Sequence, residues 1–341
     1  MATIFKKLVP DTDIANTRTM LHEAIPITGT IVSGTYEELN IKDYAHGMFQ
    51  SVYDYPYLSS SANHIFDLTV GYSSNSALAD AASVQNTKKI NIYNQMAQVL
   101  VGYDDLGNLR EFDQDGDFSG GTKLEECVFI NLARLLTKDE IKKQSFFLTV
   151  LTGGTPGAPT DSLIIHDSGA ISSYRVNSPA GDYAVLYTGS AVANTGVGLL
   201  YYQAGIAVLT ASVFDGEFGA PDATYDTASI DTVLTGTEIS SSCDGLRNRW
   251  ENLDFNNTTE LNSTIYFCRV NTNDFNYSSN PTYLSESQIR VKNFAEDSPV
   301  SFITTIGLYG ADNSLLAVAK VSEPLQNDPT NEITLRVRLD Y

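Results

Sequence analysis

Between residues 146 and 215 short apolar runs follow one another: SFFLTVLT, SLIIHD, YRVN, DYAVLY, VGLLYYQ and GIAVLTASVF. Gly, Asn, Pro and Asp punctuate them about every 8–12 residues, the spacing of strands in a sandwich or barrel-like sheet. Within LLYYQAGIAVLTAS, Gln203, Ala204 and Gly205 mark a hairpin turn. Composition points the same way. Charged residues make up 18% of the chain, below the usual ~25%. The polar surface is therefore built from Ser, Thr, Asn, Gly and the 19 Tyr, and few Lys and Glu with many Thr, Val and Tyr favours sheets over helices. The expected fold is mainly β, with β-sandwich-like sheets, a few short α-helices and a sparse N-terminal arm.

HIFDLTVG, residues 64–71, predicts a strand with one buried face through Ile65, Phe66, Leu68 and Val70. In KKINIYNQMAQVLVGY, Ile92, Met96 and Val99, with Ile90, Tyr93 and Leu100, recur at helical spacing and predict an amphipathic helix near 88–101. Thr137 and Glu140 read as a capping box before a short helix ending near Gln144. In SSSCDGLRNRWENLDF, Leu246, Trp250 and Leu253 lie at i, i+4 and i+7, which predicts a helix capped by a Ser at 240 to 242. After residue 263 the pattern returns to β: STIYFCRV, SQIRVKN, a hairpin over 302–321 and NEITLRVRLDY. Asp312 and Asn313 sit in the hairpin turn after Gly310.

A chain of 341 residues exceeds the usual single core. The expected organisation is an arm over 1–50, a mainly-β body over 51–215, an acidic loop or linker over 216–240, and a helix plus C-terminal β-module over 241–341. The candidate fold and interface residues of that module are Ile306, Leu308, Tyr309, Leu315, Leu316, Val318, Ile333, Leu335, Val337 and Leu339. The last four alternate with Thr334, Arg336, Arg338 and Asp340, which predicts a half-buried terminal strand forming one module with the hairpin.

The formal net charge of −20 opposes a nucleic-acid partner. There is no run of about 18 apolar residues, so no membrane span is expected. MATIFKKLVPDTD lacks a long apolar segment, and no signal peptide is expected. Cys127, Cys243 and Cys268 are odd in number and widely spaced, which predicts reduced, buried thiols.

The one metal candidate is DQDGDFSGG, where Asp113, Asp115 and Asp117 place three carboxylates within five residues, ligands of the kind Ca²⁺ prefers. The register departs from a calcium loop of the EF-hand type. Gly116 holds the fourth position rather than the sixth, and Leu124 holds the twelfth, where a bidentate Glu is needed. An acidic turn is the simpler reading. His22, His46, His64 and His166 form no ligand pair at i+4, the Gly clusters lack a following Lys-Ser/Thr, and no GxSxG occurs. No catalytic or cofactor-binding residue is expected.

FNYSSNPTY at 275–283, FITTIGLYGADNSLLAVAKVSEPL and the closing ITLRVRLDY resemble the C-terminal part of virion structural proteins from contractile-tailed bacteriophages. YDYPYLSSSANHIFDLTVGYS, KKINIYNQMAQVLVGYD and LLTKDEIKKQSF are similar to structural proteins of marine cyanophages. The resemblance implies a non-enzymatic virion component, tail- or baseplate-associated and made in the host cytoplasm. It also implies that the chain assembles with itself, as a homo-oligomer or ring, and with other virion proteins. Its alternatives are a neck, head–tail junction or capsid-associated position, or a receptor- or glycan-binding module at the particle edge. A hydrolase using Asp113 to Asp117 is a further reading. It is opposed by the ~5 Å carboxyl pair and cleft that a retaining glycosidase needs.

Overall fold

The computed structural model describes residues 5–28, 40–54, 63–80, 82–155, 158–189, 195–218, 228–278, 280–286, 288–289, 296 and 300–341. In chain order its elements are α1 (Pro10–Asp13), β1 (Ile14–Thr28), β2 (Ile41–Asp43), β3 (Gln50–Tyr53), β4 (His64–Tyr72), α2 (Asn86–Leu100), β5 (Glu126–Leu132), α3 (Arg134–Thr137), β6 (Glu140–Ile141), β7 (Phe147–Thr152), β8 (Asp161–His166), α4 (Ala170–Ser173), β9 (Arg175–Ser178), β10 (Gly181–Leu186), β11 (Gly198–Tyr201), β12 (Ile206–Thr210), α5 (Ile230–Gly236), α6 (Ile239–Arg247), β13 (Trp250–Val270), β14 (Leu284–Ser285), β15 (Gln288–Ile289), β16 (Ser301–Tyr309), β17 (Leu315–Asn327) and β18 (Ile333–Asp340). The protein is mainly β, with antiparallel sheets and short helices. It divides into a central unit, Leu21–Thr259, and a terminal unit, Met1–Met20 with Glu260–Tyr341.

The central unit is built on an eight-stranded sheet in the order β2-β3-β4-β5-β12-β11-β10-β9. Its middle is the run β4, β5, β12, with Phe66↔Leu132 through Tyr72↔Glu126 and Ile206↔Asn131 through Thr210↔Cys127 in register. One buried face was expected of β4, but all its residues except His64 and Asp67 are buried. The reason is cover on both sides. Gly71 lies against α2, where a Cβ would come within 2.6 Å of the Lys89 carbonyl oxygen. On the opposite face Phe66 packs on Trp250, with ring centroids 5.6 Å apart. A strand covered on both faces loses the apolar–polar alternation. The expected hairpin at Gln203 to Gly205 joins β11 to β12, with Gly205 at φ 70.

α2 follows the predicted helix closely and buries Ile92, Tyr93, Ala97 and Leu100, together with Lys89. Val99, expected on the apolar face, is exposed. Two other helix expectations are corrected. Thr137 ends α3 rather than starting a helix, and Lys138 turns the chain at φ 55. Strand-type partners then take up the following backbone: Asp139 N donates to Thr258 O, Ile141 N to Tyr202 O, and Lys142 N to Asn256 O.

The helix read through Leu246, Trp250 and Leu253 ends at Arg247, and Trp250 and Leu253 belong to β13. Ser240 to Ser242 lie inside α6, whose N-cap is Glu238. Pairing of β13 with β7 shifts register between Trp250 and Asn252. That bulge turns Trp250, Leu253 and Phe255 to one buried side, so a strand imitates helical spacing. The described part of the expected 216–240 loop contains α5, capped by Ser229, whose hydroxyl accepts from Thr232 N. Residues 29–39 of the expected arm, 55–60 of the tyrosine-rich stretch, 219–227 of the acidic loop and most of SQIRVKN lie outside the described residues.

In the terminal unit the last residues of β13 pair with β18, from Ser263↔Asp340 to Val270↔Ile333. β18 shows the expected alternation: Ile333, Leu335 and Leu339 are half-buried, Val337 is buried, and the intervening residues are exposed. The hairpin and terminal strand expected to form one module fall in this one unit, but in different sheets. β16 and β17 form a two-stranded sheet of their own, while β18 joins β13. Among the described residues the unit buries only three apolar side chains, Ile265, Val270 and Val337. The principal core cluster lies wholly in the central unit.

Candidate interface

The β16–β17 hairpin is closed by a short turn. Gly310 N donates to Ser314 O at 2.8 Å, and Asn313 adopts φ 62, a conformation Asn tolerates better than most residues. Asp312 Oδ1 accepts from Ser314 N and Ser314 Oγ at 3.1 and 2.7 Å, which holds its carboxyl below the usual range. The ladder then runs Tyr309↔Leu315, Leu308↔Ala317, Gly307↔Val318, Ile306↔Ala319 and Thr305↔Lys320, with an irregularity between Leu308 and Tyr309 that leaves Leu316 unpaired.

Residues directly opposite each other share a face. Ile306, Leu308, Ala317 and Ala319 line one face, and all four are half-buried. Thr305, Gly307, Tyr309, Leu315, Val318 and Lys320 line the other, and all six are exposed. Tyr309 and Leu315 fold across the backbone at Gly307, where a Cβ would meet a Tyr309 ring carbon at 2.9 Å and Leu315 Cδ1 at 3.2 Å. Phe5 packs edge-on against Tyr309 at 4.7 Å. Leu316, at the irregularity in β17, is 70% exposed. The result is an apolar surface on the exposed face of the ribbon.

Of the ten residues singled out in sequence, Tyr309, Leu315, Leu316 and Val318 thus form one exposed patch. Ile306 and Leu308 face inward, and the four of β18 lie in another sheet. Phe5 and Lys320 were missed. Phe5 is more than three hundred residues away in sequence, and Lys320 reads in sequence as an ordinary polar strand position. Among the described residues Lys320 forms no ion pair.

The acidic loop does gather its carboxylates. Ligand oxygens of Asp113, Asp115 and Asp117 lie within 4.8 Å of one another. Asp113 is fully buried, and its Oδ2 is 2.9 Å from Lys123 Nζ. The loop's own backbone also uses the acids: Asp117 N donates to Asp115 Oδ1, and Ser119 N to Asp117 Oδ1. Arg175 and Tyr183 fix the loop by donating to Asp115 O and Gly116 O. Much of this is the hydrogen bonding of a tight acidic turn. An open cleft of about 490 Å³ lies alongside, lined by Asp104, Glu111, Asp117, Lys123 and Asn177 among others.

The histidines are dispersed. His64 Nε2 lies 2.8 Å from Asp67 Oδ1, an oxygen that also accepts from Ser51 Oγ at 2.5 Å. The Asp67 hydrogen bond pushes the His64 pKa up. His46 stacks on Tyr44 at 5.1 Å, His22 meets Thr258 Oγ1, and His166 Nδ1 accepts from Ser168 N. Cys127 and Cys243 are buried free thiols raised by desolvation, and Cys268 is a half-buried one. Lys89 is fully buried, and its ammonium donates to Leu234 O and Thr237 O near the C-terminal end of α5. Burial pushes its pKa down to about 8. No protein-family model matches the chain, and no curated protein or solved structure matches it.

Proposed function

We propose that this chain is a non-enzymatic structural component of a bacteriophage virion, associated with the tail or baseplate and acting through protein–protein contacts. The observation that carries the reading is the hairpin face of Tyr309, Leu315, Leu316 and Val318, exposed on a unit that buries three apolar side chains among its described residues. A lone two-stranded ribbon is marginal in water, and exposed apolar patches of this kind mark surfaces that are covered in use. The near-absence of Lys from the hairpin, with Lys320 its one example, lowers the entropy lost when such a surface is ordered. The tail or baseplate station, and the virion itself, rest on the resemblance of the 275–283, 302–325 and 333–341 segments.

The test is to purify particles, separate heads from tails, and quantify the polypeptide in each by mass spectrometry. Enrichment in tails, at a multiple of six copies per particle as tail symmetry requires, supports the reading. Enrichment in heads moves the protein to the neck or capsid, and absence from particles overturns the proposal.

A further inference from the structure

We propose that the outer face of the β16–β17 hairpin binds the same face of a second copy of this chain, as a two-fold dimer with the ribbons antiparallel. This rests on reading the terminal unit as a docking element and names its partner. Three observations select a second copy.

The first is charge. The terminal unit carries nine Lys and Arg against twelve Asp and Glu, whereas the central unit carries twelve against twenty-nine. Two terminal units can meet without strong repulsion, and a strongly basic partner would be drawn to the central unit instead. The second is area. Phe5, Tyr309, Leu315, Leu316 and Val318 are between 42% and 70% exposed. At the usual size of such side chains they present on the order of 450 Å² of apolar surface. That equals the apolar share of the ~800 Å² each partner contributes to a standard interface.

The third is the order of groups along the ribbon. Asp312 stands at the tip, the apolar side chains follow, and Lys320 closes the same face beyond Val318. A two-fold axis lying in the interface, across the ribbon between its Tyr309–Leu315 and Gly307–Val318 pairs, exchanges the two ends. It sets Asp312 of each copy against the partner's Lys320, Leu315 against the partner's Val318 and Tyr309 against the partner's Gly307. An isologous interface needs that self-complementarity. It gives the Lys320 ammonium the counter-charge it lacks among the described residues of its own chain.

The experiment is sedimentation velocity on the full chain at low salt over a range of concentrations. The wild type is expected to dimerise in the micromolar range. Leu316→Asp is expected to weaken dimerisation about 30-fold or more, the loss typical of a central contact. Lys320→Glu and Asp312→Lys are each expected to weaken it roughly 10-fold, because each sets like charges together at two places. An equimolar mixture of those two variants is expected to regain wild-type association, since each supplies the charge the other lost. All three positions are exposed, and far-UV circular dichroism confirms that each variant is folded. A wild type that stays monomeric up to ~100 µM overturns the proposal, as does a dimer indifferent to Leu316→Asp. A mixture that fails to recover overturns the antiparallel pairing. A chain that is monomeric here but present in tail fractions would sink the dimer and leave the virion role standing.

Discussion

Ending the chain after Asn331 removes β18, and the consequence can be worked from the terminal unit. β18 pairs with β13 along eight residues, from Ser263↔Asp340 to Val270↔Ile333. It buries Val337 fully and about half of Ile333, Leu335 and Leu339. At ~1.5–3 kcal/mol for a fully buried aliphatic side chain, that burial is worth about 5 kcal/mol. The net ladder hydrogen bonds, at ~1 kcal/mol each, roughly offset the entropy of ordering the strand. The truncation also uncovers the strand segment that carries Ile265 and Val270, the other two buried apolar residues of the unit. About 5 kcal/mol is comparable to the whole stability of many small domains. The 263–270 segment should therefore lose the protection of its β18 edge, with β1 left on the other edge, while the central sheet keeps its own. Hydrogen exchange followed by mass spectrometry reads both at once. Amides of Thr264, Tyr266, Cys268 and Val270, the alternate residues that bond to β18, should exchange freely in the truncated chain, and those of Glu126–Leu132 should stay protected. Persistent protection of those four amides without β18 would refute the reasoning.

Two further outcomes follow from the central unit. Gly71→Ala drives a methyl to 2.6 Å from Lys89 O and 3.0 Å from Tyr93 N, both helix backbone atoms that cannot swing aside. Urea unfolding should show a loss of about 1–3 kcal/mol, and a change under ~0.5 kcal/mol would contradict the close strand–helix approach. The second outcome concerns pH. His64 has its pKa raised by Asp67, so the pair's stabilisation is full below the ordinary histidine value of about 6.5 and is lost as pH rises through the raised one. Both groups are partly exposed, so the effect should stay under ~1 kcal/mol. NMR titration should place His64 above the ordinary value and return it there in Asp67→Asn, and an unmoved titration would exclude the pairing.

What could be read from the sequence was what is decided locally. The strict alternation Ile333-Leu335-Val337-Leu339 survives as β18 because one face is covered and the other is wet. The Gly310-Asp312-Asn313 turn forms because its conformation and its Asp312–Ser314 hydrogen bonds are internal to the five residues Gly310–Ser314. The misreadings come from contacts made far along the chain. The 250–253 stretch looked helical because a bulge against β7 resets the strand's parity. Thr137 resembled a cap, but the backbone after it is taken by residues near 202 and 256–258. Lys89, of a residue type seldom buried, is buried because two carbonyls near the end of α5 receive its ammonium, contacts that no local pattern announces. The apolar residues of the hairpin were visible as a set. Which of them face outward depends on the register between Leu308 and Tyr309 and on the absence of a side chain at Gly307.

The central claim is that the outer hairpin face is covered in the assembled particle. Hydroxyl-radical footprinting of the free chain against intact virions tests it most directly. Oxidation of Phe5, Tyr309, Leu315 and Leu316 should fall severalfold in the particle, while exposed Leu106 and Leu135 of the central unit serve as the comparison. Equal oxidation of the hairpin face in the free chain and in the particle would contradict the account.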